Sequence, residues 1–254
     1  MKAAWKAALP ASWLRDWGNN YSYAVLGIGG NPPPMKLIDL WKQPAEDAQK
    51  VCTLLQQVPW DDPFVQRDAI DIARMVLDRL IAVRVWEFGR DFAQWRTGTT
   101  GVSPVGSVNG QGARSPSDLL AKINRVAELC DAMADLLALH TDYSLWESYQ
   151  RLDAVEKIRN PAFEKTLFEN ASCDYCRSHQ YELARHWYAP HVKAVAARRA
   201  KAVAAGDRKA DISVKAEKER LALKARPLES LKPTLPRTAE SFRKVLREVE
   251  ALKD

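Results

Sequence analysis

Two cysteines and a histidine in the second half of the chain have the spacing Cys173-x-x-Cys176-x-x-His179. Thiolates and imidazole nitrogens are good zinc ligands, and residues three apart share one side of a helix. A closed structural zinc site needs four ligands, however, and the nearest further candidate, His186, lies two turns along. A thioredoxin-like redox role would need a βαβ unit, which the sequence lacks. We therefore predict no metal here and two buried thiols beside a helix start.

Two other groups of residues could bind or react. His186 and His191 flank an aromatic pair, but nothing around them forms a recognisable nucleophile–base pattern, so a structural role is expected. Arg198, Arg199 and Lys201 could contact phosphates, but the run contains no interleaved aromatic residues. The sequence therefore predicts that this basic run is the solvated end of a helix.

A glycine-rich stretch over 98–114 contains the segment GSVNGQG. It lacks the lysine and hydroxyl residue of a P-loop, and no buried strand precedes it. We interpret it as a surface loop, and the sequence predicts no bound cofactor.

The elements that position these residues are predicted to be helices almost throughout. The longest helix is expected over 63–95, with Pro63 in its first turn and Asp61 or Asp62 as its cap. Apolar residues cover two of its sides, and the charges alternate along the remaining face at Arg67, Asp71, Arg74 and Asp78.

Further helices are expected on both sides of this element. They are predicted over 46–58, 144–157, 161–170 and 239–252, and from Ser115 to near His140. Another is predicted over 174–205; Pro190 should kink it near 186–187, and Gly206 should end it. A short strand over 23–28 is the one exception. The predicted fold class is all-α, an irregular multi-helix bundle with long central helices.

The positive charge is concentrated near the end of the chain. The 254 residues carry a net charge of +6, but residues 193–254 alone hold 17 Lys+Arg against 9 Asp+Glu. The preceding residues are nearly neutral, so any anionic partner is expected to contact the last third. The N-terminus has no continuous apolar run of the kind a signal peptide needs, and no apolar run approaches the length of a membrane span.

Two segments resemble the C-terminal all-helical domain of the α-N-acetylglucosaminidase family of glycoside hydrolases. The first matches the family at Pro63, Phe64, Asp68, Asp71, Arg74 and Leu77. The second matches at Asp174, Tyr175, Leu183, Tyr188 and Pro190. Smaller similarities occur at Asn160-Pro161, at 168–170 and at Ala4-Trp5.

The resemblance implies a domain that packs on a catalytic (β/α)₈ barrel, in cis or in trans, and helps to line a pocket for a glycan ending in N-acetylglucosamine. Asp174 and Tyr175 are then the substrate-lining candidates. The catalytic glutamates of the family lie in the barrel, so no catalytic residue is carried over and the isolated chain is predicted to be inactive. Family members are usually secreted, periplasmic or lysosomal.

The sequence also departs from the family. A Thr-Leu-Trp-Gly-Pro stretch that usually precedes the aspartate–tyrosine pair is missing, and Arg67 and Arg177 replace a tyrosine and an asparagine. The helical domain is expected over 1–226, followed over 227–254 by a proline-rich connection and a terminal amphipathic helix. The alternative function is a stand-alone helical binding module whose basic tail meets an anionic partner, with nucleic acid and membrane as unlikely partners.

Overall fold

The computed structural model describes residue 42 and residues 45–98, 115–144, 146–147, 180–212 and 228–252. All regular structure in these ranges is helical, which confirms the predicted all-α fold. The α-helices are α1 (Ala48–Gln56), α2 (Pro63–Thr97), α3 (Pro116–Ala138), α4 (Gln180–Leu183), α5 (Ala189–Ala204) and α6 (Ala239–Leu252). The predicted strand over 23–28, the helix over 161–170, most of the helix over 144–157 and the loop over 99–114 lie outside the described residues.

Helix α2 begins and ends at residues whose types dictate those positions. Asp62, rather than Asp61, is the cap: its carboxylate accepts a hydrogen bond of 2.8 Å from the backbone N–H of Phe64. Gly98 ends the helix with φ of 70°, a left-handed conformation that glycine adopts without penalty. Most residues of both predicted apolar sides are buried, and α2 packs on both α1 and α3.

Helix α3 is the centre of the bundle. It begins with a capping box in which Ser115 and Asp118 each accept a hydrogen bond from the other's backbone N–H. The predicted apolar stripe is buried, but Ala127, Leu129 and Ala132 outside that stripe are buried as well. The helix therefore packs on α2, α5 and α6 at once, and its alanines let these neighbours approach closely.

The predicted kink before Pro190 takes the form of a π-helical segment, Ala184–Tyr188, between α4 and α5. Proline has no N–H to donate to the carbonyl four residues earlier, so the α-helical pattern is interrupted there. The chain absorbs the interruption by widening to i→i+5 bonding over one turn, and the helix continues into α5.

Gly206 ends this helical run, as predicted. Its φ is 64°, and its N–H donates to the carbonyl of Val203 at 3.1 Å. The next N–H, of Asp207, donates to the carbonyl of Ala202 at 3.0 Å, which completes a Schellman motif.

Helix α6 is amphipathic, as its sequence predicts, and it packs on α1 and α3. The ring of Phe242 stacks on that of Trp60, with centroids 4.4 Å apart. The buried residues of α6 therefore belong to the same hydrophobic core as those of α2 and α3. Within the described ranges, none of the helices combines the length and the apolar character needed to cross a bilayer.

Candidate functional site

The residues that the sequence singles out most strongly lie outside the described ranges. These are the substrate-lining candidates Asp174 and Tyr175, and the cysteine–histidine group of Cys173, Cys176 and His179. In the part of the chain that the structure describes, no three His, Cys, Asp or Glu side chains are placed to hold a metal ion. The described structure does contain the elements on either side of these residues.

The two histidines that follow them take different positions. His191 is completely buried in α5, whereas His186 is half-buried in the π-helical segment and packs edge-on against the ring of Tyr181 at 6.0 Å. Both histidines are packed within the helical run, and their structural role stays a prediction.

A polar network lies where the N-terminal half of α2 meets the end of α3. The completely buried Tyr143 donates a hydrogen bond from its hydroxyl to the carboxylate of Asp71. The same carboxylate lies 3.5 Å from Nε of Arg74, one turn further along α2. Tyr143 belongs to a 3₁₀ turn, Thr141–Tyr143, that directly follows α3.

The same turn pairs with Arg67. Its Nε lies 3.1 Å from Oδ2 of Asp142, an ion pair rather than a directed hydrogen bond. Nδ1 of His140 accepts a bond from the backbone N–H of Asp142 at 3.2 Å and so caps the turn. The sequence predicted that Arg67 supports the polar face of its own helix; the structure shows instead that it joins α2 to the segment after α3.

Ser144, which follows Tyr143, extends the polar network to α4. Ser144 donates from its hydroxyl to Oε1 of Glu182 at 3.0 Å, and the backbone N–H of Trp146 donates to the same oxygen at 3.2 Å. Ser144 and Glu182 are both completely buried. A buried carboxylate is costly unless it accepts hydrogen bonds, so these donors make the position of Glu182 tolerable.

We call Asp71, Tyr143, Ser144 and Glu182 the polar junction. It connects α2 to α4 through two consecutive residues at the end of α3. Since Tyr143, Ser144 and Glu182 have no solvent-exposed surface, the polar junction fixes the positions of backbone segments and does not itself meet a substrate. What it can do chemically is hold two distant segments in a defined arrangement.

Sequence reasoning missed Glu182. Its spacing from Arg185 suggests an ordinary pair one turn apart on a helix. The structure instead places Arg185 against Asp135 and 3.7 Å from Asp131, both in α3, and turns Glu182 to the interior. Its place in the sequence between Tyr181 and the pair Leu183-Ala184 is the signal that could have identified it.

The prediction that the basic run is solvated is wrong at one of its three residues. Arg198 and Lys201 are exposed, but Arg199 is buried with its guanidinium 5.0 Å from the ring centre of Phe92 and 5.4 Å from that of Phe88. Burial, with a smaller contribution from the like charge of Arg96, lowers the pKa of Arg199 to about 10. The aromatic partners come from α2, about a hundred positions earlier, so they could not be seen within the run.

Two described cysteines are inaccessible, which gives a testable difference in reactivity. Cys52 and Cys130 are free thiols in the core, and burial, aided by the negative charge of Glu250, raises the pKa of Cys52 to about 12 from 9.0. Thiolates are the reactive form, so we expect neither residue to be labelled by a disulfide reagent at pH 8 until the protein is unfolded in guanidinium. Peptide mass spectrometry after timed labelling checks this.

The same pKa shift has a consequence for alkaline stability. Between about pH 9 and 12 the folded thiol of Cys52 keeps its proton while the unfolded thiol loses it, so its contribution to stability decreases with rising pH in that range. Cys52→Ala should remove this component of the alkaline loss. Labelling of Cys52 at the same rate in the native and unfolded protein would contradict the assignment.

The described structure thus defines an all-α helical bundle with a buried polar junction. Comparisons with known proteins find no relative: no family model, no curated protein and no solved structure matches the chain.

Proposed function

We propose that this chain is a helical accessory domain of the α-N-acetylglucosaminidase type. In this proposal it packs on a catalytic (β/α)₈ barrel, in cis or in trans, and helps to line a pocket for a terminal N-acetylglucosamine. The observation that carries the proposal is the polar junction, because it connects the two segments on which the resemblance rests. Asp71 belongs to the first segment, and Glu182 lies within the second.

The polar junction would serve such a domain by fixing the helix that follows its pocket-lining residues. Glu182 comes seven positions after Tyr175 in the sequence, at the first described turn of α4. A residue that contacts a sugar must be held by supporting packing and hydrogen bonds, and loss of that support costs binding. Tyr188, another residue of the resemblance, is completely buried and adds to this support.

The chain would contribute binding contacts and the barrel would contribute the reacting groups. Glycoside hydrolysis requires two carboxyl groups that flank the scissile bond at a set separation. Glu182 is closed off from solvent and Asp71 is engaged by Tyr143, so the polar junction does not offer such a pair. Asp174 and Tyr175 remain the candidates for contact with the sugar.

The proposal predicts activity only when a barrel is present. We expect the purified chain alone to release no product from an aryl α-N-acetylglucosaminide, and the chain combined with a catalytic barrel of the α-N-acetylglucosaminidase family to hydrolyse that substrate. In the combined enzyme, Tyr175→Ala should lower kcat/KM by about tenfold or more, as expected for loss of a substrate contact. Steady-state kinetics on both preparations measures this.

Asp207→Ala is the matched control, since Asp207 is an exposed residue in the turn after α5. It should leave kcat/KM unchanged. The proposal fails if Tyr175→Ala behaves like this control. It also fails if the chain alone turns over substrate and loses that activity when one of its own acidic residues is changed.

A further inference from the structure

Exposed acidic residues surround the start of α2. Asp61 and Asp62 precede its first turn and Asp68 lies one turn further along, and all three residues are exposed. Phe64 lies between them with 77% of its surface exposed, and it is the large hydrophobic residue that the described part of the chain leaves open to solvent. Phe64 and Asp68 are four positions apart, so they lie on the same side of the helix. We call these four residues the acidic end.

The arginines of this region are engaged by other groups. Nε of Arg67 lies 3.1 Å from Oδ2 of Asp142, and Nε of Arg243 donates to the last backbone carbonyl of α1 at 3.2 Å. Within the ranges that the structure describes, the carboxylates of Asp61 and Asp68 form neither an ion pair nor a hydrogen bond. The negative charge of the acidic end therefore faces solvent.

The opposite end of α2 is fastened to the turn after α5 by arginine side chains. Nε of Arg96, in the last turn of α2, donates to the carbonyl of Arg208 at 3.0 Å, and its Nη2 donates to that of Ala210 at 3.4 Å. In return the guanidinium of Arg208 lies against Gly98, where Nη1 is 2.6 Å from the position a Cβ would take. The turn after α5 therefore sits on the end of α2.

This fastening collects positive charge at the second end. We call the basic end the set of one half-buried and four exposed cations found there: Arg96, Arg198, Lys201, Arg208 and Lys209. Asp207 and Asp211 are the acids in the same turn, and the carboxylate of Asp207 accepts a hydrogen bond of 3.0 Å from the backbone N–H of Lys209. Cations therefore outnumber carboxylates at this end.

Helix macrodipoles account for only part of this separation of charge. Acids in the first turn and cations in the last turn of a helix offset the dipole, but the effect fades within one turn. Asp68 lies beyond the first turn of α2, and Arg208 and Lys209 lie beyond the Schellman motif that ends α5. The two ends therefore carry opposite charge in surplus, about 48 Å apart along the axis of α2.

We propose that the acidic end of one copy of this chain binds the basic end of a second copy, so that the chains associate head to tail. The opposite charges attract across the contact, and the exposed ring of Phe64 packs on the exposed guanidinium of Arg208. Arginine packs on phenylalanine in the same way inside the bundle, where the guanidinium of Arg199 lies 5.4 Å from the ring centre of Phe88 and 5.0 Å from that of Phe92. This inference does not depend on the barrel proposed above.

The distribution of charge favours head-to-tail contact over a symmetric dimer. Two acidic ends repel each other, as do two basic ends, because like charges placed opposite one another are unfavourable. Every chain carries one end of each sign, so the contact joins two different surfaces and leaves one of each open for the next copy. Screening by salt weakens attraction between exposed charges, so association is expected to decrease as ionic strength rises.

The test measures the mass of the full chain by sedimentation equilibrium, in a reducing buffer that prevents disulfide-linked species. At about 50 mM salt the mass should increase with protein concentration, and at about 500 mM salt it should approach that of the monomer. The acidic-end variant is Phe64→Ser/Asp68→Asn, and the basic-end variant is Lys201→Gln/Lys209→Gln. Each is expected to raise the Kd of association by about tenfold or more at low salt, because each removes anchors of the contact.

The matched control is Lys193→Gln/Lys244→Gln, which removes two exposed lysines that lie outside both ends and pair with Asp131 and Glu248. It has the same charge as the basic-end variant and should associate like the original chain. Thermal unfolding of all three variants verifies that they fold. If a double variant unfolds, Phe64→Ser and Lys209→Gln are measured singly, and each is expected to raise the Kd by about threefold or more.

Mixing the two end variants in equal amounts distinguishes this arrangement from others. The intact basic end of one variant should bind the intact acidic end of the other, and the altered ends should prevent further growth, so the mixture should contain heterodimers and nothing larger. A chain that stays monomeric at low salt would overturn the proposal. Equal weakening in the control variant, or a mixture that forms either no dimer or assemblies as large as those of the original chain, would also overturn it.

Discussion

Glu182→Leu is expected to lower the free energy of unfolding by about 3 kcal/mol. The substitution removes the oxygen that accepts bonds from the Ser144 hydroxyl and the Trp146 N–H, and leucine offers no acceptor in its place. A buried donor that loses its acceptor costs about 1–3 kcal/mol, and two donors are affected here. The completely buried position of Glu182 leaves little room for water to replace the lost bonds.

Denaturant unfolding of Glu182→Leu, Glu182→Gln and Glu240→Ala measures this expectation. Glutamine retains an acceptor oxygen, so its loss of stability should be less than half that of leucine. Glu240 is exposed and pairs with Arg247 on the surface of α6, so its removal should cost under about 1 kcal/mol. Amide exchange at Trp146 should accelerate in the leucine variant and less in the glutamine variant. Equal losses in all three variants would show that the polar junction does not stabilise the fold.

The parts of this fold that depend on local chemistry could be predicted from the sequence. The caps formed by Asp62, Ser115 and Gly206 are decided by residues within three positions of a helix end. The buried sides of α2 follow from its apolar period in the same way. Pro190 marked the interruption before α5, although the geometry is a π-helical segment, because a missing N–H does not dictate how the chain closes the gap.

The polar contacts could not be predicted, because their partners are distant in the sequence. Tyr143 and Asp71 are separated by 72 positions, and Glu182 and Ser144 by 38. Arg199 belongs to a run that looks like a solvated helix end, and only the packing of α5 near α2 brings Phe88 and Phe92 to it. Charge and spacing identify candidates for pairing, whereas tertiary packing chooses among them.

The contact between α2 and α3 contains a buried ion pair that should be more important to stability than any pair on the surface. Asp91 of α2 has a side chain only 6% exposed, and its two carboxylate oxygens meet Lys122 of α3 and Arg90. Removing one partner of a buried pair leaves the other charge uncompensated, which typically costs 3–5 kcal/mol. Since Lys122 is partly exposed, we expect Asp91→Ala to lower the free energy of unfolding by about 3 kcal/mol.

A second substitution in the Asp91→Ala background separates loss of the ion pair from simple loss of packing. Adding Lys122→Met to Asp91→Ala removes the uncompensated ammonium and should restore about 1 kcal/mol or more, although the double variant has lost both polar groups. Glu87→Ala is the matched control, because Glu87 pairs with Arg84 one turn along the same helix at 2.9 Å with both side chains partly exposed. That variant should cost about 0.5 kcal/mol. If Asp91→Ala costs no more than Glu87→Ala, or if Lys122→Met lowers stability further in its background, the carboxylate of Asp91 does not hold α2 to α3.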